Sequence, residues 1–272
     1  FYGQKFYGDK LASDYSSVMD GWLTECSRCE LKDIFEKYTE ENVYWLHLDP
    51  AGGARMNTID GAPDSSPVPD YYMETVRAEE SVVWYTHHFS SADTWFWERI
   101  KDTNDHVYLT TVDNIATTAS ENILVRGEIV SRTSGIHNTN LYFNSTNTLI
   151  EQKFWVGKTD YDFSKELPLT DLNEGNNSII FSSAETIDDL YFNWFEITYP
   201  RQFHAQEEQL TFTYDETGNR WKYSINNFST STSAVTFDIT NPLAPVRVTS
   251  LNFSGGVVTF TSDQNKEVTY LV

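Results

Sequence analysis

Two cysteines, eight prolines and three methionines in 272 residues leave little material for several classes of protein. With Cys26 and Cys29 as the only thiols, a disulfide-stapled scaffold is excluded. So is a zinc site of two Cys-x-x-Cys pairs, because no second pair exists. Basic residues are scarce as well: 19 Lys and Arg stand against 40 Asp and Glu, a formal charge of −21. Such a surface repels nucleic acid and anionic lipid, so no nucleic-acid partner is expected. No apolar run approaches the ~20 residues of a membrane span, so no membrane insertion is expected. A basic-then-apolar leader is missing from the start. Both ends, Phe1-Tyr-Gly-Gln4 and Glu267-Val-Thr-Tyr-Leu-Val272, read as strand sequence, and the expectation is that they are cuts through a longer protein. A missing leader then says nothing about export.

Aromatic residues are abundant, at 15%, and suit sheets. A helical pattern is expected only near the N-terminus. Tyr15, Val18, Met19, Trp22 and Leu23 form one stripe at i, i+3, i+4 spacing, and Leu31, Ile34, Phe35 and Tyr38 form a second. Ser13 suits the N-cap. The predicted helical hairpin over 13–39 places Cys26-Ser-Arg-Cys29 in its turn. This pair reads as a local disulfide or two idle thiols. Metal binding would need further ligands, and redox chemistry a βαβ context that the chain does not show.

From Val43 the pattern turns to strands. Val43–Leu48 reads as one, and Asp60 to Asp70, with three prolines, as a loop. Strands are predicted at Ser81–Phe89, His106–Val112, Ile123–Val130, Leu141–Asn144, Ile150–Val156, Ser178–Ser182 and Leu190–Tyr199, with Pro200 ending the last. Ile123, Val125, Gly127 and Ile129 alternate with Leu124, Arg126 and Glu128, as in a half-exposed strand. Seven or so strands without crossover helices imply an antiparallel jelly-roll-like β-sandwich over 73–201. A second series follows over 205–272: Leu210–Tyr214, Trp221–Ile225, Val235–Ile239, Val246–Phe253, Val257–Thr261 and Val268–Val272, with Gly255-Gly256 as a hairpin turn. It predicts a second, smaller β-sandwich domain. The N-terminal strands of 1–60 are too few to close a core alone and are expected to pack with it.

Several short motifs then line up in order. They are Phe6-Tyr-Gly8, Asn42-Val-Tyr-Trp-Leu46, Gly53-Ala-Arg-Met56, Trp95-Phe-Trp97, His137 with Leu141-Tyr-Phe-Asn144, Leu172-Asn-Glu-Gly-Asn-Asn177, Asn193–Arg201 and Phe237-Asp-Ile-Thr-Asn-Pro242. Together they resemble the N-terminal, non-catalytic β-rich region of gingipain-type cysteine peptidases, a family that includes the type IX secretion system sortase. The hairpin around Cys26 departs from that pattern and looks like an insertion. The resemblance implies that the peptidase His and Cys lie in a caspase-like domain downstream. It implies a secreted or cell-surface protein whose partners are that catalytic domain and secretion or cell-surface components.

The residues themselves agree that no catalytic site is expected here. A cysteine peptidase needs a thiolate, an activating His and oxyanion donors, and nothing ties Cys26 or Cys29 to a His. His87 and His88 are strand neighbours that point to opposite faces and cannot share a metal. Trp95 and Trp97 could form a carbohydrate-stacking platform, whereas the resemblance implies that they are core. Asp160 with Asp162, and Asp188 with Asp189, read as solvated turn acids. No cofactor is expected, and calcium is left open with no residue assigned. Paired carboxylates of a glycoside hydrolase are not signalled. The expected role is a structural and interaction region preceding a gingipain-like peptidase domain. A carbohydrate-binding jelly roll is the alternative, with a β-sandwich glycan-cleaving enzyme behind it.

Overall fold

The computed structural model describes residues 55–85, 95–184, 188–229 and 233–272. The helical hairpin over 13–39, the strand at 43–48, Cys26, Cys29, His87 and His88 lie outside the described residues. The regular elements of the described chain are strands, apart from a 3₁₀ turn at Leu169–Asp171. In order the strands are β1 (Asn57–Asp60), β2 (Tyr72–Glu79), β3 (Val83–Trp84), β4 (Trp95–Phe96), β5 (Glu98–Ile100), β6 (His106–Val112) and β7 (Ile123–Ser131). Then come β8 (Ile136–Phe143), β9 (Leu149–Val156), β10 (Asp160–Leu167), β11 (Gly175–Ser183) and β12 (Leu190–Arg201). The last are β13 (Thr211–Tyr214), β14 (Asn219–Ile225), β15 (Thr236–Asp238), β16 (Val246–Thr249), β17 (Asn252–Ser254), β18 (Val257–Gln264) and β19 (Val268–Leu271).

Strands β2 to β12 build an antiparallel sandwich of two main sheets. One has the order β10-β7-β12-β2, with β5 also on β12, and the other has the order β6-β11-β8-β9. The chain crosses between these sheets after β5, β6, β7, β9, β10 and β11, which is the jelly-roll path. Alternation explains the layering. In β7 the inward set is Ile123, Val125, Gly127 and Ile129, as its sequence predicted. Gly127 is required by close packing: a Cβ there would lie 2.4 Å from both the Phe163 ring and the Trp194 carbonyl oxygen. Across the core Tyr108 and Phe192 stack with centroids 3.7 Å apart. Burying such rings contributes about 1.5–3 kcal/mol each.

Four strands of this sandwich were not expected: the short β4 and β5, and the eight-residue β2 and β10. In β2 the outward side is Thr75, Arg77 and Glu79, and in β10 it is Asp160, Asp162, Ser164 and Glu166. Dense charge hid both. Asp160 and Asp162 are therefore strand residues opposite Val130 and Glu128, not turn acids. Strand β12 also runs through Pro200 to Arg201 instead of stopping at the proline, whose carbonyl accepts from Ala116 N–H at 2.9 Å.

The second sandwich stacks a sheet of order β1-β16-β15-β19-β13 on one of order β14-β18-β17. Its core gathers Phe203, Phe212, Tyr223, Phe260 and Tyr270. Strand β1 pairs in parallel with β16, Asn57 opposite Val246 and Asp60 opposite Thr249. The run Val246–Phe253, read as one strand, is two, because Ser250 adopts φ +57 and turns the chain. Gly255 and Gly256, at φ +61 and +80, make the tight hairpin between β17 and β18.

A polar node joins the two sandwiches. Tyr72 opens β2, yet its ring packs in the second core, 5.1 Å from Phe203 and 5.6 Å from Phe212. Its hydroxyl accepts from Arg201 Nη1 at 2.6 Å and donates to Glu74 at 2.9 Å. Arg201, buried at the end of β12, also holds Asp113 through Nε at 3.0 Å and Nη2 at 2.9 Å. Gln206, from the second sandwich, donates to the other Asp113 oxygen. Arg201 is thus satisfied by Tyr72, Glu74 and Asp113 of the first sandwich, and the node reaches the second through the Tyr72 ring and Gln206.

Candidate interaction surface

The described histidines are committed to structure. His137, inward on β8, is fully buried with Asp188, Nδ1 to Oδ1 at 2.5 Å. Its Nε2 lies 3.1 Å from the Gly157 carbonyl and 3.2 Å from that of Thr133, so that nitrogen donates. Ser183 Oγ donates to the second Asp188 oxygen at 3.0 Å. Serine, histidine and aspartate meet here, but Asp188 stands in the middle. Neither imidazole nitrogen is left to take a proton from a nucleophile. The cluster instead clamps β8 to the segment entering β12. Asp188, expected as a solvated turn acid, is thus a buried partner. His106 is held between Glu98 at 3.1 Å and Asp102 at 3.0 Å, and His204 Nδ1 lies 3.1 Å from Asn114 Oδ1. A backbone hydrogen bond from Asn104, then the one from His106, keep the Asp102 carboxyl below its ordinary range. Burial, then the charge of Glu98, push the Tyr108 hydroxyl far above its own.

Asp189 is no free acid either. Arg99 grips it with two bonds of 2.8 and 2.7 Å, and Arg132 adds a third at 3.3 Å. Burial alone would raise its pKa, but the hydrogen bond and charge of Arg99, with the charge of Arg132, outweigh this and hold it low. Among the described residues no group of three or more His, Cys, Asp or Glu could hold a metal ion.

Trp97 packs half-buried against the first core, with ring contacts to Tyr108, Phe192 and Phe195 at 5.2–6.2 Å. Trp95 lies opposite the exposed Trp84 in the small β3-β4 ladder, while Phe96 between the tryptophans is fully buried. The two tryptophans therefore sit in different surroundings.

The two outer faces of the jelly roll separate the chemistry. Outside the β10-β7-β12-β2 sheet, charges pair across strands around Glu196. Glu196 on β12 takes Arg77 of β2 at 3.0 Å and Arg126 of β7 at 2.6 Å. Arg77 also lies over the Trp194 ring, 4.1 Å from its centroid, and Thr75 bonds Thr198 at 2.8 Å.

On the outer face of the β6-β11-β8-β9 sheet none of the described outward strand residues is charged. The register aligns Val107, Ile180, Tyr142 and Leu149 in one row across all four strands. Leu109 stands opposite Ser178 beside it. Ser182, Asn140 and Gln152 form the next row, then Asn138 with Phe154, then Ile136 with Val156. Val107, Leu109, Phe154 and Val156 are each more than half exposed. Exposed apolar side chains grouped in this way make the face a candidate interaction surface. The sequence did not disclose it, since β8 alternates Ile136, Asn138, Asn140, Tyr142 against His137, Thr139, Leu141, Phe143 with polar groups on both sides. The signal that could have found it is the lack of Asp, Glu, Lys and Arg at outward positions of four strands.

No protein-family model matches the chain. No curated protein matches it either. Among solved structures, the fold is similar to that of dimeric latent PorU from Porphyromonas gingivalis, at 14% identity and a TM-score of 0.63, covering 80% of this chain and 22% of that one. The likeness is one of fold, and this chain spans about a fifth of that protein's length. A carbohydrate-binding module of the CBM36 type, solved with calcium and xylotriose, overlaps 46% of this chain and 98% of its own at 14% identity and a TM-score of 0.30. The CBM36-1 domain of a multidomain xylanase from the hindgut metagenome of Trinervitermes trinervoides overlaps 46% of this chain and 95% of its own, at 12% identity and a TM-score of 0.30. Those two overlaps are too slight to bear on function.

Proposed function

We propose that this chain is a non-catalytic β-rich region that precedes a gingipain-like cysteine peptidase domain in a secreted or cell-surface protein. Its work is to hold and present that domain and to engage secretion or surface components. The observation that carries this reading is the uncharged outer face of the β6-β11-β8-β9 sheet in a chain of formal charge −21. Its apolar centre around Val107, Leu109 and Ile180 suits a neighbouring protein domain, because exposed aliphatic side chains gain most from being covered. The Arg201 node favours the same role: two sandwiches locked together make a stiff support. The fold shared with PorU and the ordered motifs agree with it. Among the described residues no helix is long and apolar enough to cross a membrane.

The test is enzymatic. The purified chain, incubated under reducing conditions with Arg- and Lys-containing peptides, should release nothing above buffer. Thiol-dependent cleavage by this chain would overturn the reading. In a polypeptide carrying the peptidase domain, Leu109→Lys should lower activity while leaving the melting temperature of the isolated chain unchanged.

A further inference from the structure

We propose that the β8–β9 half of the uncharged face binds a neutral polysaccharide chain. This goes beyond the docking role, which needs only the β6–β11 half. Three observations carry it. First, two aromatic rings flank a stripe of amides. Phe154 is 61% exposed on β9 and Tyr142 is partly exposed on β8. Phe154 stands opposite Asn138, four residues along β8 from Tyr142, which sets the rings about 14 Å apart along the strands. That span suits an oligosaccharide better than a single sugar. Second, Asn140 and Gln152 face each other between the rings, with Asn138 beside Phe154. The side-chain amides of Asn138, Asn140 and Gln152 have no hydrogen-bond partner among the described residues, unlike Glu196, Arg77, Arg126, Thr75 and Thr198 of the opposite face. Covering them with an apolar protein surface would cost free energy, whereas sugar hydroxyls donate to and accept from them. Third, the patch is uncharged in a strongly acidic chain, so a neutral glycan meets no repulsion and an anionic one does. The C–H faces of sugar rings would stack on Phe154 and Tyr142 while their hydroxyls bond the amides between.

The experiment is isothermal titration of the purified chain with arabinoxylan, mixed-linkage β-glucan, glucomannan and galactomannan, with polygalacturonate as the anionic control. Saturable binding to at least one neutral polymer is expected, and none to polygalacturonate. Phe154→Ala and Tyr142→Ala should each weaken binding at least about tenfold, and Asn140→Ala severalfold, with unchanged thermal melts. Failure to bind any neutral polymer would overturn the proposal. So would binding that survives the Phe154→Ala/Tyr142→Ala double variant, or binding lost on Trp95→Ala or Trp97→Ala instead, which would move the site to the tryptophan segment. Self-association of the chain that Phe154→Ala abolishes would assign this half to a protein interface and also overturn it. Leu109→Lys should leave glycan binding within twofold, so failure here and failure of the docking role are told apart.

Discussion

The two outer faces of one sandwich share a core and a chain path, yet differ in composition. On the β10-β7-β12-β2 side Glu196 is held by two arginines and the hydroxyls of Thr75 and Thr198 bond each other. Around Glu196 that face answers its own polar groups. On the β6-β11-β8-β9 side the outward residues carry no charge, the amides of β8 and β9 are unanswered, and Phe154 and Val156 are 61% and 65% exposed. A face complete in itself needs only water. A face with open amides and open apolar surface suits contact, and the two proposals above rest on that difference.

The severest way to break the comparison is from beneath. His137 lies on the inner side of β8, directly under the uncharged face. His137→Ala should cost about 3–5 kcal/mol, because it takes the ring partner from the buried Asp188 carboxylate and leaves it only the Ser183 hydroxyl and the Asp189 N–H. Urea unfolding followed by fluorescence should show the midpoint fall for the whole sandwich at once. Gly127→Ala belongs beside it, at about 1–3 kcal/mol, since the new methyl meets the Phe163 ring and the Trp194 carbonyl.

A milder cut falls on the charged face. Glu196→Ala leaves Arg77 and Arg126 without their shared acceptor and should cost about 1–2 kcal/mol by the same titration, less at high salt. Acid should reach this face too. Asp189 has its folded pKa lowered, so its contribution is fully present above the ordinary carboxylate range and is lost as pH falls through the folded value. Urea midpoints measured from pH 5 downward should drop less steeply below about pH 4 in Asp189→Asn than in the parent chain.

The smallest effect on stability belongs to the uncharged face. Leu109→Lys, Val107→Thr and Phe154→Ala should each change the stability of the isolated chain by no more than about 0.5 kcal/mol, since they remove little internal packing. Loss of a kilocalorie or more at Leu109 would show that this side chain is a structural support instead.

Much of the architecture was legible before any coordinates. The alternation of β7 and the bulky run of β12 declared their strands, and strands without crossover helices implied the jelly roll. Elsewhere the pattern failed for physical reasons. In β2 and β10, charge on the outer side drowned the apolar period. At Ser250 a single positive φ split what looked like one strand. The His137–Asp188 pair joins residues 51 apart, and two adjacent aspartates gave no hint that one is buried. The uncharged face was least legible of all, because Val107, Ile180, Tyr142 and Leu149 come from four strands and become neighbours only through register.

The most direct test of the account is oxidative footprinting of both faces at once. Leu109 reports on the uncharged face and Trp194 on the charged one. Labelling would be compared between the isolated chain and a polypeptide in which a peptidase domain follows it. The account predicts that Leu109 is protected severalfold in the longer protein while Trp194 is labelled alike in both. Equal labelling of Leu109 in the two, or protection of Trp194 instead, would contradict it.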